Sequence, residues 1–141
     1  MGDGARLEPV ADRLIADFPE RPESRYYLAT ARLLRGRTAD AAAEARRLLA
    51  ANPSHAKAQN LLGVACATAA QRSCAMEAFE AAIRLSPRDS SAYVNLGLLH
   101  LQTGDPVAAA GYFAEALAVD PGSEGARGGL AQAQTARSAG K

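Results

Sequence analysis

Tryptophan is absent from this 141-residue chain, and phenylalanine and tyrosine together supply only 5% of it. That excludes a core built around many large rings. It leaves Ala, Leu, Val and Ile, whose short or aliphatic side chains favour helices packed closely on helices. Charge of one sign is lacking as well: 16 Lys and Arg are interleaved with 15 Asp and Glu, for a net +1. Phosphate recognition needs a basic face, so nucleic acid is not an expected partner. No apolar run approaches the roughly 20 residues of a membrane span. The opening MGDGARLEPV also lacks a charged-then-apolar leader pattern, so a soluble chain without membrane insertion is expected. Only two cysteines occur, too few for a disulfide framework and without companions for a zinc site. Cys66 and Cys74 stand eight apart across a predicted turn and read as small buried thiols, which favours a reduced compartment such as the cytoplasm.

What the chain does have is 48% hydrophobic and 22% charged residues, the balance of one domain with a continuous core. It also has a period. Pro19, Pro53, Pro87 and Pro121 stand 34 residues apart, within the range of about 20 to 50 that marks a stacked-repeat architecture. At the same step Leu28, Leu62, Leu96 and Leu130 align, each followed by a small residue: Ala29, Gly63, Gly97 and Ala131. Ala41, Ala75 and Ala109 make a second small column, Ile15, Leu49, Ile83 and Leu117 an aliphatic one, and Gly36, Ala70 and Gly104 a turn column.

Each unit divides into two helices, A and B. In the third, SSAYVNLGLLHLQ predicts helix A, stopped at Gly104. Asp105 is placed to cap helix B, with Pro106 in its first turn, where a missing N–H costs nothing. Thr38 and Ser73 take nearby capping positions in the earlier units. Helix B, VAAAGYFAEALAV, ends before Pro121, which cannot extend the hydrogen-bond ladder and pushes its predecessor out of the helical region.

These columns resemble the tetratricopeptide repeat. The third unit carries the pattern most fully, in Tyr93, Leu96, Gly97, Gly104, Ala109, Phe113, Ala116 and Pro121. The second matches at Leu62, Gly63, Ala75, Phe79, Ala82 and Pro87. The first keeps Leu28, Ala29, Gly36, Ala41 and Pro53, but has Arg25 where the family has a large aromatic, and Ala45 and Leu48 for its usual aromatic and Ala. The resemblance implies an all-α fold, a right-handed α-α superhelix of stacked 34-residue helix-turn-helix repeats forming a single domain over residues 1–141. Its expected parts are helix B of an incomplete repeat (5–21), repeats at 22–55, 56–89 and 90–123, and a C-terminal capping helix and tail (124–141). Gly125, Gly128 and Gly129 predict a frayed start to the capping helix, at about 1 kcal/mol each against alanine, with disorder after about Arg137.

Helical periodicity turns one stripe of each helix A away from its Leu-and-small face. In the first unit this stripe is Glu23, Tyr27, Thr30 and Leu34, flanked by Tyr26 and Leu33. In the second it is Lys57, Leu61, Val64 and Thr68, flanked by Asn60. In the third it is Ser91, Asn95, Leu98 and Gln102, flanked by Val94 and Leu101. In the family the A helices form the inner wall, so the resemblance implies that these residues line a concave groove receiving a partner's peptide segment or helix. Leu34, Leu61, Val64 and Leu98 would supply apolar contacts, and Tyr26, Tyr27, Asn60 and Asn95 hydrogen bonds to a peptide backbone. The expected affinity is micromolar, about −8 kcal/mol. A family variant clamps a terminal carboxylate with several Lys, Arg and Asn. Lys57, Asn60 and Asn95 are present here, but the rest of that cluster is missing. Packing of A helix on A helix is the competing reading of the same leucines.

No nucleophile has a base and an orienting group in a recognisable pattern, and no Gly-rich phosphate loop follows a strand, so no catalytic residue is assigned. His55, expected in solvent at a helix start, and His100, in the same inter-helix column as Arg32 and Cys66, lack companions for a metal, and no cofactor is expected. The chain reads as a non-enzymatic protein-protein interaction scaffold. Two alternatives stay open: the repeat portion of a larger enzyme that presents protein substrate to a catalytic domain, or a self-assembly module. The latter would use Leu7, Leu14 and Ile15, on a helix B whose helix A is missing. Such an uncovered face is expected of a chain cut from a longer one or of one forming a weak homodimer.

Overall fold

The computed structural model describes residues 4–19 and 21–140, so Glu20 of the incomplete repeat and the tail residue Lys141 lie outside it. Eight helices occur among the described residues, and no strand. They are α1 (Gly4–Asp17), α2 (Pro22–Leu34), α3 (Thr38–Ala51), α4 (Ala56–Thr68), α5 (Arg72–Leu85), α6 (Ser90–Gln102), α7 (Pro106–Val119) and α8 (Glu124–Ala139). The expected all-α class of helix-turn-helix repeats is therefore the one observed. Helix starts recur at the sequence period: α1, α3, α5 and α7 each begin 34 residues after the one before, as do α2, α4, α6 and α8. Every odd-numbered helix stops two residues before one of the four periodic prolines.

The turn column works through backbone geometry. Gly36 (φ 76°), Ala70 (φ 58°) and Gly104 (φ 80°) all adopt the left-handed conformation that ends a helix. In each turn the next amide reaches back to the last helical turn: Arg37 N–H donates to the Arg32 carbonyl at 2.9 Å, Gln71 to Cys66 at 2.8 Å, and Asp105 to His100 at 2.8 Å. Asp105 then caps α7 by accepting from the Ala108 amide at 3.0 Å, with Pro106 in the first turn, as expected. The other capping expectations need correction. Thr38 is the first helical residue of α3, whose cap position, Arg37, makes no side-chain capping bond, and Ser73 lies inside α5. Nor does α8 start frayed: Ser123 caps it at 3.3 Å from the Ala126 amide, and it remains helical to Ala139, past Arg137.

The chain forms two compact units, residues 1–78 and 79–141, which part inside α5. In the first, α2 packs against α1, α3 and α4, and α3 also packs against α4. In the second, α6, α7 and α8 pack mutually.

The core of the second unit is organised by Phe113, which is wholly buried with Ala109, Ala116, Ala126 and Ala133. A Cβ at Gly97 of α6 would stand 2.6 Å from its ring, and one at Gly129 of α8 only 2.3 Å. These two glycines are the slot into which the ring fits. The first unit buries Leu28, Leu48 and Leu62 and adds charge to its interior. Glu44, 2% exposed, receives the guanidinium groups of Arg25 (3.2 Å), Arg32 (2.9 Å) and Arg47 (2.6 Å). Glu8, 7% exposed, pairs with Arg35 and with Arg37 at 2.5 Å, and Arg32 Nε lies 3.9 Å from it. Arg25 thus stands in for the family's aromatic because a buried carboxylate faces it. Removing two charges from water demands such multiple pairing.

Candidate functional site

The outward stripe of the first unit lies on α2 and α4, which pack side by side. Tyr27 is 47% exposed and Leu34 56%, and Glu23 and Lys57 are also exposed. Tyr26 is half-buried, with its ring 6.1 Å from Tyr27 at 68° and stacked on His55 at 5.9 Å and 22°. Thr30 donates its hydroxyl to the Tyr26 carbonyl at 2.9 Å. Asn60 and Val64 are half-buried. Leu61 is the correction: at 8% exposure it belongs to the core and offers no side chain to a ligand. The helical period sets its direction from α4, but not how deeply neighbouring side chains cover it.

His55 was expected in solvent, yet its Nδ1 caps α4 by accepting from the Ala58 amide at 3.1 Å while the ring supports Tyr26. Its place one residue before the helix start was the available signal.

In the second unit α6 presents Leu98 (40% exposed), with Ser91 and Gln102 also exposed and Asn95 half-buried. Asp89 caps this helix by accepting from the Ser91 amide at 2.9 Å. Val94 packs against the Phe113 cluster and faces α8, where a Cβ at Gly125 would lie 3.6 Å from it, so it is largely occupied within the unit. His100 stacks on Tyr112 at 5.3 Å and 20°, the inter-helix role its column implied.

At the start of the chain, Leu7, Leu14 and Ile15 are each half-buried, with α1 against α2, while Val10 and Phe18 are the exposed large apolar side chains there. A separate cleft of about 250 Å³ is lined by Pro19, Arg21, Pro22, Arg25, Arg47, Leu48 and Ala51, and none of the stripe residues borders it. Cys66 and Cys74 are not free thiols: they are joined in a disulfide that ties α4 to α5. No group of three or more His, Cys, Asp or Glu suited to a metal ion occurs among the described residues, and no helix among them is long and apolar enough to cross a membrane.

Helix pairs recurring every 34 residues, each closed by a left-handed turn and paired through small-residue columns, define an all-α helical-repeat protein. The chain belongs to the tetratricopeptide repeat (TPR) family, whose sequence model matches residues 8–52, 35–73 and 75–124. It is 33% identical over 104 residues to the Hsp70-Hsp90 organizing protein of Triticum aestivum, a match covering 74% of this chain but only 18% of that protein. Its fold is similar to a chain of the APC/C hetero-tetramer Cut9-Hcn1, with a TM-score of 0.90 at 18% identity, covering 96% of this chain and 26% of that one. It is also similar to the first TPR of Spaghetti (RPAP3) bound to the HSP90 peptide SRMEEVD, with a TM-score of 0.78 at 14% identity, covering 84% and 94% of the respective chains.

Proposed function

We propose that this chain is a non-enzymatic scaffold that binds segments of other proteins through the outward stripes of its A helices, each unit by itself: α2 and α4 in the first, α6 in the second. The observation that carries the reading is the exposure of Tyr27, Leu34 and Leu98 on these stripes, while the opposite faces bury Leu28 and Leu96. Large apolar side chains kept in water on one repeated face suit docking. The similarity to a TPR solved with a bound peptide supports the same class of ligand.

The ligand that fits is an extended segment or amphipathic helix with spaced apolar anchors, its backbone bonded by neighbouring polar side chains. Because the helices are already formed, most of the ordering cost falls on the ligand. The test is selection of a phage-displayed peptide library against the full chain. Enriched peptides should carry apolar anchors, those held by the first unit losing binding to Tyr27→Ala and those held by the second to Leu98→Asp, in variants whose helicity is unchanged. Peptides that bind both variants as well as the parent would refute the assignment.

A further inference from the structure

We propose that Cys66 and Cys74 form a reversible thiol–disulfide site that reacts with external dithiols and disulfides through Cys74, with Cys66 as the resolving thiol. Three placements argue for this division of labour. Cys66, near the end of α4, is 1% exposed, whereas Cys74 is only half-buried. Cys74 is the third residue of α5, within the first turn, where unpaired backbone N–H groups favour a thiolate. The Arg46 guanidinium, reaching across from α3, lies 3.7 Å from Cys74 Sγ and adds a positive charge at the same atom. A partly accessible sulfur beside a guanidinium and a helix N-terminus, with a buried resolving partner, is the arrangement that redox-responsive cysteines require. The Cα atoms of the pair stand 5.8 Å apart, within the span a disulfide bridges, so the two thiols are placed to re-form the bond.

In the reducing direction, a thiolate of an external dithiol attacks Cys74 Sγ. The Cys66–Cys74 bond breaks, and its electron pair leaves on Cys66 Sγ, which takes a proton. The reagent's second thiolate then attacks its own sulfur in the mixed disulfide and expels Cys74 as a thiolate facing Arg46. Two electrons have passed from the dithiol, which leaves as a disulfide. Oxidation by an external disulfide runs the same exchange backwards, with Cys66 resolving the adduct on Cys74. Opening removes the covalent tie across the turn that Ala70 makes in its left-handed conformation.

The experiment uses the full chain, reduced and freed of reductant, then pulsed with iodoacetamide at neutral pH and mapped by peptide mass spectrometry. Cys74 should be alkylated at least about tenfold faster than Cys66, the ratio expected when one thiol is activated and the other buried. Arg46→Ala should slow Cys74 severalfold, while Arg46→Lys keeps most of the rate. With glutathione disulfide, the parent should re-form the bond, and Cys66→Ser should accumulate a glutathione adduct on Cys74. Circular dichroism of each variant controls for folding. Equal alkylation of the two thiols, no effect of Arg46→Ala, or a bond that resists dithiothreitol until the chain unfolds would each make the disulfide purely structural and overturn the proposal.

Discussion

Gly128 and Gly129 are neighbours in one helix, yet replacing each by alanine should move stability in opposite directions. Helix propensity treats them alike, each substitution gaining about 1 kcal/mol. A Cβ at Gly128 meets nothing within 4 Å, so Gly128→Ala should keep that gain. At Gly129 the new Cβ would stand 2.3 Å from Phe113, where 3.4 Å is the start of ordinary contact, so ring or helix must yield by 1.1 Å. The ring has nowhere to go, because it is wholly buried and the Gly97 position presses on the same atoms from α6. Overpacking of this kind costs about 1 to 3 kcal/mol. With a clash this deep taken at the upper end, Gly129→Ala should lose about 2 kcal/mol net, and the two variants should differ by about 3. Urea unfolding followed by circular dichroism measures both. If Gly129→Ala stabilises the chain as Gly128→Ala does, Phe113 is not held in a glycine slot and this description of the second core is wrong.

Four further outcomes follow from particular contacts. Glu44→Gln strips the shared charge from Arg25, Arg32 and Arg47 and should cost about 3 kcal/mol in urea, the low end for a broken buried pair because two of the arginines reach water. Arg47→Met, whose side chain is mostly exposed, should cost less than about 1 kcal/mol in the same assay. Ala70→Gly should stabilise the chain by roughly 0.5 to 1 kcal/mol, since it relieves a left-handed alanine that costs about 1 to 2; destabilisation would contradict the turn geometry. Leu61→Ala should lose about 2 kcal/mol or more of stability through a cavity, marking it as core rather than contact surface.

The helix boundaries were legible because they are set by local chemistry repeated in phase: prolines two residues past each helix B, left-handed turns at the Gly column, and Asp105 with Pro106 at the start of α7. Features that depend on a distant partner were not. Arg32 and Glu44 occupy the same inter-helix columns as His100 and Tyr112, 68 residues later, and the contact persists while its chemistry changes from ion pair to ring stack. A column of unlike residues shows that two helices meet there without showing how the charges are neutralised. Gly129 was misread for a similar reason, since its value lies in a ring contributed by another helix. The disulfide needed the turn's geometry, which brings residues eight apart in sequence to 5.8 Å. On the candidate surface, the period gave the direction of Tyr27, Leu34 and Leu98 correctly, but not the burial of Leu61 or the engagement of Val94 with the Phe113 cluster.

The most direct test of the central claim is amide chemical-shift mapping of the full chain titrated with a peptide taken from the library selection. Shifts concentrated on the stripe of one unit, on α2 and α4 around Tyr27 and Leu34 or on α6 around Leu98, are the predicted result. Shifts concentrated on α3, α5 and α7, with the A-helix stripes unmoved, would contradict it.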